Sequence, residues 1–394
     1  MNRYFADFHI HVGISESGRW VKIPTSRQLT VRTILDTALQ RKGLQIVAIV
    51  DAMSPWVQQD IGRLLAEGIL VAQTGGGYRY HNGVTLLLGA EIETCEESGG
   101  ICHSLLYLPD LPAMQGLTTE MSRHIRNIGL SSQNAHMPLQ RLAAIARSHE
   151  AMFVPAHVFT PHKSLYGACS HRMSALLKET DLEVVSAVEL GLSADTDMAD
   201  RIKELWRFEY LTNSDAHSPE KIGREYNLLE LAAPSYAECV LAFKRQAGRR
   251  VLENFGMDPR LGKYHHSCCE ACETIFSASP AQPTCPSCGC GKLVKGVADR
   301  IEEIADAPAG RHPSTRPQYR YQAPLYMLPG LGSKTLTKMV DELGTEMELI
   351  HAVCLSDIER VGGRRVAAAM AAVRNGTAMV QSGGGGIYGK VGLS

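Results

Sequence analysis

The chain has 394 residues, 40 Lys and Arg against 41 Asp and Glu, a formal net charge of −1, and 44% hydrophobic and 21% charged residues. That length anticipates two or three domains with a large buried core. The balance excludes a disordered chain and offers no overall electrostatic hold on nucleic acid or acidic lipid. The charge is uneven: residues 1–240 carry 21 basic and 27 acidic side chains, and residues 241–394 carry 19 and 14. An acidic first part rich in His suits a cation site, and a mildly basic second part suits an anionic partner.

In chain order, short apolar runs predict strands over 5–10, 45–50, 84–89, 104–108, 152–155, 187–190 and 210–212. Helical patterns fall between them over 31–41, 138–149 and 170–179. Strand–helix alternation over about 250 residues predicts an α/β barrel or a related layered α/β fold, with its chemistry at the strand ends. Residues 264–295, which include HHSCCEACETIFSASPAQPTCPSCGCGKLV, are rich in Cys, Pro and Ser, so a metal must replace a core there. A short helix over 297–305, a connector with Pro308, Pro313, Pro317 and Pro324, and a two-part helical segment from Leu328 follow. The Gly-rich end from Ser382 reads as mobile, or ordered by a partner. The expected divisions are 1–260, 261–300, 301–327 and 328–394.

The start, MNRYFADFHIHVG, has no apolar signal core, and no run approaches the ~18 apolar residues of a membrane span. Six of the eleven Cys lie between Cys268 and Cys290, which favours metal binding over disulfides. The expected compartment is a reducing cytoplasm, with no membrane partner.

His9-Ile10-His11 lies in the first strand, where alternate residues share a face, so both imidazoles point one way. H-x-H alone is as well explained by two ordinary His. Its company changes that: Asp51 ends an apolar run, Glu91 follows one in GAEIE, His103 borders one, His157 follows one in PAHVF, and Asp215 and His217 follow one in TNSDAH. Unpaired ionisable groups at such positions are costly, and divalent cations would offset that cost together. A His, Asp and Glu donor set suits zinc, manganese or iron.

In order, His9-x-His11, Asp51, Glu91, His103, His157 and Asp215-x-His217 resemble the motifs of the PHP (polymerase and histidinol phosphatase) phosphoesterases. The resemblance covers about the first 255 residues and implies a distorted (βα)7 barrel with two or three divalent ions on its rim. It assigns His9, His11, Glu91 and Asp215 to one ion, and Glu91, His103 and His157 to a second, with Glu91 bridging. Asp51 and His217 would serve a third. Many members place another His or Asp about six residues beyond the second His of H-x-H; Ser17 stands there. Glu93 is a rival to Glu91. Catalysis falls to Asp215, Glu91 and His157, through zinc, manganese or magnesium.

Cys269-x-x-Cys272 and Cys285-x-x-Cys288 form a C-x₂-C, twelve-residue gap, C-x₂-C pattern, strong for one structural zinc. Cys268, Cys290, His265 and His266 are alternates, and a redox dithiol is the weaker reading. Gly330, Gly332 and Lys334 in LPGLGSKT open a helix whose free N–H groups and cation would take a DNA phosphate. A weaker copy, IERVGGRR, precedes the next helix, and the pair resembles helix-hairpin-helix DNA-backbone binders.

PHP barrel, Cys₄ ribbon and helical tail in this order, with LGKYHHSCCEAC, GKLVKGVADRIEEIAD, RPQYRYQAPL and GGGGIYGKV, are similar to the endonuclease Q family. That resemblance implies a metal-dependent endonuclease cutting DNA 5′ to uracil, hypoxanthine, xanthine and abasic sites, leaving 3′-hydroxyl and 5′-phosphate ends. Trp20, Tyr78, Tyr80, Asn82 and Tyr166 are available for a flipped base, though most aromatics are core residues. A PHP phosphomonoesterase acting on a small metabolite, or a DNA-binding adaptor without catalysis, are the alternatives.

Overall fold

The computed structural model describes residues 1–81, 83–276 and 283–392. The first 260 residues supply strands β1 (Asn2–Ile10), β2 (Ile46–Ile49), β3 (Leu70–Ala72), β4 (Tyr78–Tyr80), β5 (Val84–Cys95) and β6 (Ile101–Leu108). They continue with β7 (Met152–Pro155), β8 (Ala187–Glu189), β9 (Glu209–Leu211), β10 (Tyr226–Leu231) and β11 (Arg250–Met257). β2 and the VTLLL start of β5 are apolar without alternation and buried throughout, as strands covered on both faces are.

Pairing runs β11–β10–β1–β2–β5–β6–β7. β8 and β9 form a separate parallel pair, and bridges from Phe153 to Val185 and from Ile10 to Ala216 set it beside β7 and β1. β1–β2–β5 is parallel, as strand–helix alternation demands, but β5–β6 and β6–β7 are antiparallel. Only residues 96–100 join β5 to β6, too few for a crossover helix. Both strands run longer than expected, so Glu91 and His103 lie inside strands rather than beside them.

Alternation divides each strand between two cores. Ala48, Leu87, Leu105, Val154 and Ala187 fill an inner cluster that the Tyr236–Phe243 helix joins. Val47, Ile49, Leu86, Leu88 and Leu106 face outward to helices such as Pro55–Ala66 and Leu139–Ser148. The helix expected over 31–41 is α-helical only over Val31–Asp36 and continues as a π-turn to Lys42. In place of the expected helix over 170–179 there is a 3₁₀ turn, Met173–Ala175, and a four-residue helix, Glu179–Leu182, begins only at its end.

Three short strands, β12 (Ser267–Cys269), β13 (Ile275–Phe276) and β14 (Leu293–Val294), form the Cys-rich segment's own antiparallel sheet. The Pro-rich connector carries β15 (Gln318–Gln322), which extends the main sheet by pairing with β11. Helices Ser333–Leu343, Glu346–His351, Leu355–Gly362 and Arg364–Arg374 then close around Leu336, Met339, Ile358 and Met370. Glu346 anchors them to the first part by ion pairs to Lys42 (2.8 Å) and Arg41 (3.1 Å).

The Gly-rich end departs from expectation. β16 (Met379–Gln381) and β17 (Lys390–Gly392) pair as a hairpin. Between them the N–H groups of Gly383, Gly386 and Gly389 donate to the carbonyls of Arg260, Lys263 and Leu261. A Cβ on Gly383 or Gly389 would lie 2.5 or 2.3 Å from neighbouring backbone, so these glycines serve close approach rather than freedom. Among the described residues no helix is long and apolar enough to cross a membrane.

Candidate metal centre and nucleic-acid surface

The register of β1 against β2 shifts between Asp7 and Ile10. Phe8 joins the inner cluster, and across the shift His9 and His11 also reach the interior, their Nε2 atoms 3.3 Å apart. Register irregularities commonly re-aim side chains in this way. Along β5 a period of two carries Leu87, Gly89 and Glu91 to the same face, and along β6 it carries Tyr107, Leu105 and His103. His157 and Asp215 stand in the turns just after β7 and β9, with φ of +31° and +43°. A non-glycine residue held there stores strain, a common feature of functional sites.

Two clusters result. His9, His11 and Asp215 form one, and Glu91, His103 and His157 the other, with each set of donor atoms lying within 4.8 Å of one another. Asp215 Oδ1 is 3.6 Å from His9 Nε2 and 3.5 Å from His11 Nε2. Glu91 touches both groups: Oε1 is 2.8 Å from His103 Nδ1 and 3.6 Å from both His157 Nε2 and His9 Nε2, and Oε2 is 3.6 Å from His11 Nε2. Four donors about 2.1 Å from a common centre in a tetrahedron stand about 3.4 Å apart. The donor set and its spacing therefore fit divalent cations.

The electrostatics favour positive charge at the same place. Burial pulls the His9 imidazole down, but Glu189 and Asp215 outweigh it and raise it well above its ordinary value. Burial pushes the Glu91 carboxyl up, and His103 and Lys22 hold it well below the usual carboxylate range. His217, half-buried and beside His11, is pulled down to about 4 by desolvation and by His11.

Two expected residues lie elsewhere. Asp51 belongs to neither cluster: it stands behind His11, 3.1 Å from Nδ1, and accepts the Val12 N–H at 2.5 Å. His217 packs its ring 4.6 Å from that of His11 and holds the Asp215 carbonyl at 3.0 Å. Asp51 and His217 thus flank His11, and among the described residues they join neither donor cluster. Ser17 bonds to Ser15. Glu93, the rival carboxylate, holds His103 Nε2 at 3.1 Å and Lys163 at 2.8 Å.

Two residues were not anticipated. Glu189, buried at the end of β8, is 3.0 Å from His9 Nδ1 and accepts from the His157 N–H and Asn213 Nδ2, both at 2.8 Å. It carries the signal that marked Asp51, a carboxylate ending an apolar run. Lys22, half-buried, donates to Glu91 Oε2 at 2.9 Å and to Ser132; it sits in a loop with no pattern to announce it. The clusters open into a cleft of about 420 Å³ whose lining also carries Lys163, Lys221, Arg224, Lys263 and Tyr388.

Cys269, Cys272, Cys285 and Cys288 converge, with Sγ pairs at 3.6 Å (Cys269 and Cys288) and 3.5 Å (Cys272 and Cys285). Four thiolates about 2.3 Å from one zinc stand about 3.8 Å apart, so the set fits. Cys268, Cys290, His265 and His266 are not in the group. Gly330 has φ +86° and lies under the Arg365 side chain, Gly332 caps the Ser333–Leu343 helix, and Lys334 is exposed. Tyr78, Tyr80 and Tyr166 are core residues, their hydroxyls bonded to the Leu111 N–H, Asp36 and Glu204. Trp20 is exposed, and Asn82 lies outside the described residues.

No family model matches the chain. It is 41% identical over 393 residues to the uncharacterized protein YqxK of Bacillus subtilis (strain 168), covering 99% of this chain and all of that one. Among solved structures it resembles the lesion-specific endonuclease PfuEndoQ of Pyrococcus furiosus, at 31% identity and TM-score 0.85 over all of this chain and 96% of that one. An endonuclease Q bound to a 27-mer duplex with an abasic lesion at its active site matches at 32% identity and TM-score 0.85, over all of this chain and 97% of that one. Likeness at this identity, over all of this chain and nearly all of each neighbour, shows the family: the chain belongs to the endonuclease Q family and is a metal-dependent endonuclease.

Proposed function

We propose that this chain hydrolyses the DNA phosphodiester on the 5′ side of deaminated bases (uracil, hypoxanthine, xanthine) and of abasic sites, leaving 3′-hydroxyl and 5′-phosphate ends. The observation that carries the proposal is Glu91, whose two oxygens reach both donor clusters in a cleft also lined by Lys and Arg. The bound abasic duplex of the neighbouring endonuclease Q supports the substrate.

On this reading residues 1–260 form the PHP-type barrel, closed through β1, β2, β5, β6, β7, β8 and β9. Residues 261–300 form the zinc ribbon, 301–327 the connector and 328–394 the DNA-binding end. His9, His11, Asp215 and Glu91 hold one cation and Glu91, His103 and His157 a second. When bound, two such ions neutralise a phosphodiester and make a water acidic enough to attack phosphorus in line. Glu189 and Asp51 engage the Nδ1 atoms of His9 and His11, which leaves each Nε2 as the nitrogen that would ligate a cation. His103 and then Lys22 hold the Glu91 carboxyl well below its usual range. No covalent enzyme intermediate is required. Gly330, Gly332 and Lys334 grip backbone phosphate without reading sequence, leaving the lesion to be read by a base turned out of the stack.

Incubating the metal-loaded protein with a uracil-containing duplex tests the proposal. Nicking 5′ to uracil supports it. Phosphate release from a monoester alone favours a phosphomonoesterase, and binding without turnover favours an adaptor.

A further inference from the structure

The folded Gly-rich end has a consequence for the catalytic turn. Tyr388 lines the cleft, and its hydroxyl accepts from Arg224 Nη1 at 3.0 Å. Arg224 is buried, and its other two nitrogens also donate: Nε to the Ser214 carbonyl at 2.6 Å and Nη2 to the Asp215 carbonyl at 3.2 Å. The guanidinium carbon lies 5.5 Å from the Tyr388 ring centre, and Lys263 Nζ lies 5.9 Å from it. Tyr388 is itself held from behind, because Gly383, Gly386 and Gly389 bond to the 260–263 backbone. We propose that residues 383–389 are a strap that positions the reaction's machinery: Tyr388 fixes Arg224, and Arg224 fixes the Ser214–Asp215 turn that aims the Asp215 carboxylate.

Asp215 has a left-handed backbone, so its turn relaxes unless neighbours over-determine it. Arg224 supplies two of the contacts that do so, and His217 Nδ1 supplies a third on the Asp215 carbonyl. Arginine suits the task because its planar fork delivers several donors in fixed directions, and lysine does not. Neither Tyr388 nor Arg224 belongs to a donor cluster, so their influence passes through Asp215. The strap rests on the metal-site reading above but not on the identity of the DNA lesion.

The test compares metal-stripped wild type, Tyr388→Phe and Arg224→Lys by Mn²⁺ titration, with free Mn²⁺ read by electron paramagnetic resonance. kcat and KM on an abasic-site duplex are measured beside it. Tyr388→Phe removes one hydroxyl and keeps the ring. A charge-assisted hydrogen bond is lost, so Mn²⁺ should bind one of the two sites about tenfold more weakly, with kcat falling in step and KM for DNA nearly constant. Arg224→Lys should lose at least as much. Folded variants with wild-type Mn²⁺ affinity would overturn the strap, as would a rise in KM alone, which would make Tyr388 a DNA contact. If wild type binds two Mn²⁺ but cuts no DNA, the nuclease proposal fails, and the Mn²⁺ comparison still decides the strap.

Discussion

Glu189→Gln is the most informative single substitution, because it preserves shape and removes only charge and acceptor capacity. Both Glu189 oxygens accept: Oε1 from Asn213 Nδ2 at 2.8 Å, Oε2 from the His157 N–H at 2.8 Å, and the pair faces His9 Nδ1 at 3.0 and 3.1 Å. Either orientation of the amide sets an NH₂ against a buried donor, which costs about 1–3 kcal/mol. The loss falls on the ring of His9 and the strained turn of His157, one residue from each donor cluster. Carboxylates that orient ligating imidazoles are worth about 10- to 100-fold in metal affinity, or about 1.4–2.7 kcal/mol. Mn²⁺ affinity, measured calorimetrically on stripped protein, should fall within that range, and the nicking rate on a uracil duplex should follow. A folded Glu189→Gln protein with Mn²⁺ affinity and nicking rate both within about twofold of wild type would refute the reasoning.

Asp215→Ala should abolish cleavage while leaving DNA affinity nearly unchanged in a gel-shift assay, since it removes a candidate metal ligand and no phosphate contact; retained turnover would remove Asp215 from the site. Cys285→Ser should lower bound zinc by one equivalent and lower the ribbon's melting temperature, and unaltered zinc content would contradict the four-thiolate group. Gly332→Val should weaken binding to all duplexes alike. A Cβ at Gly332 meets nothing within 4 Å, so the protein itself should fold normally. A loss confined to lesion-bearing duplexes would give the hairpin a different role.

How much could be read beforehand depends on where each signal resides. His9, His11, Glu91, His103, His157 and Asp215 were legible because an ionisable group bordering or interrupting an apolar strand is costly unless a partner is provided. The same signal could not tell which atoms meet: Asp51 looks like a ligand in sequence, yet its carboxylate stops behind His11. Glu189 bears that signal too, but nothing in one sequence distinguishes it from other strand-end acids. Lys22 comes from an irregular loop, where periodicity is silent. The antiparallel β5–β6 pair followed from the short 96–100 connection, which strand–helix alternation elsewhere masked. Gly-rich composition suggested freedom at residues 383–389, whereas close backbone packing explains Gly383 and Gly389. The nearest backbone lies within the loop itself, while hydrogen bonds to residues 260–263, more than a hundred positions away, hold the loop in place.

The shared role of Glu91 is tested most directly by anomalous scattering from crystals loaded with manganese. Two peaks about 3.5–4 Å apart, one on either side of the Glu91 carboxylate, are the expected result for a pair of ions acting on one phosphate. A single peak, or peaks remote from Glu91, would contradict it.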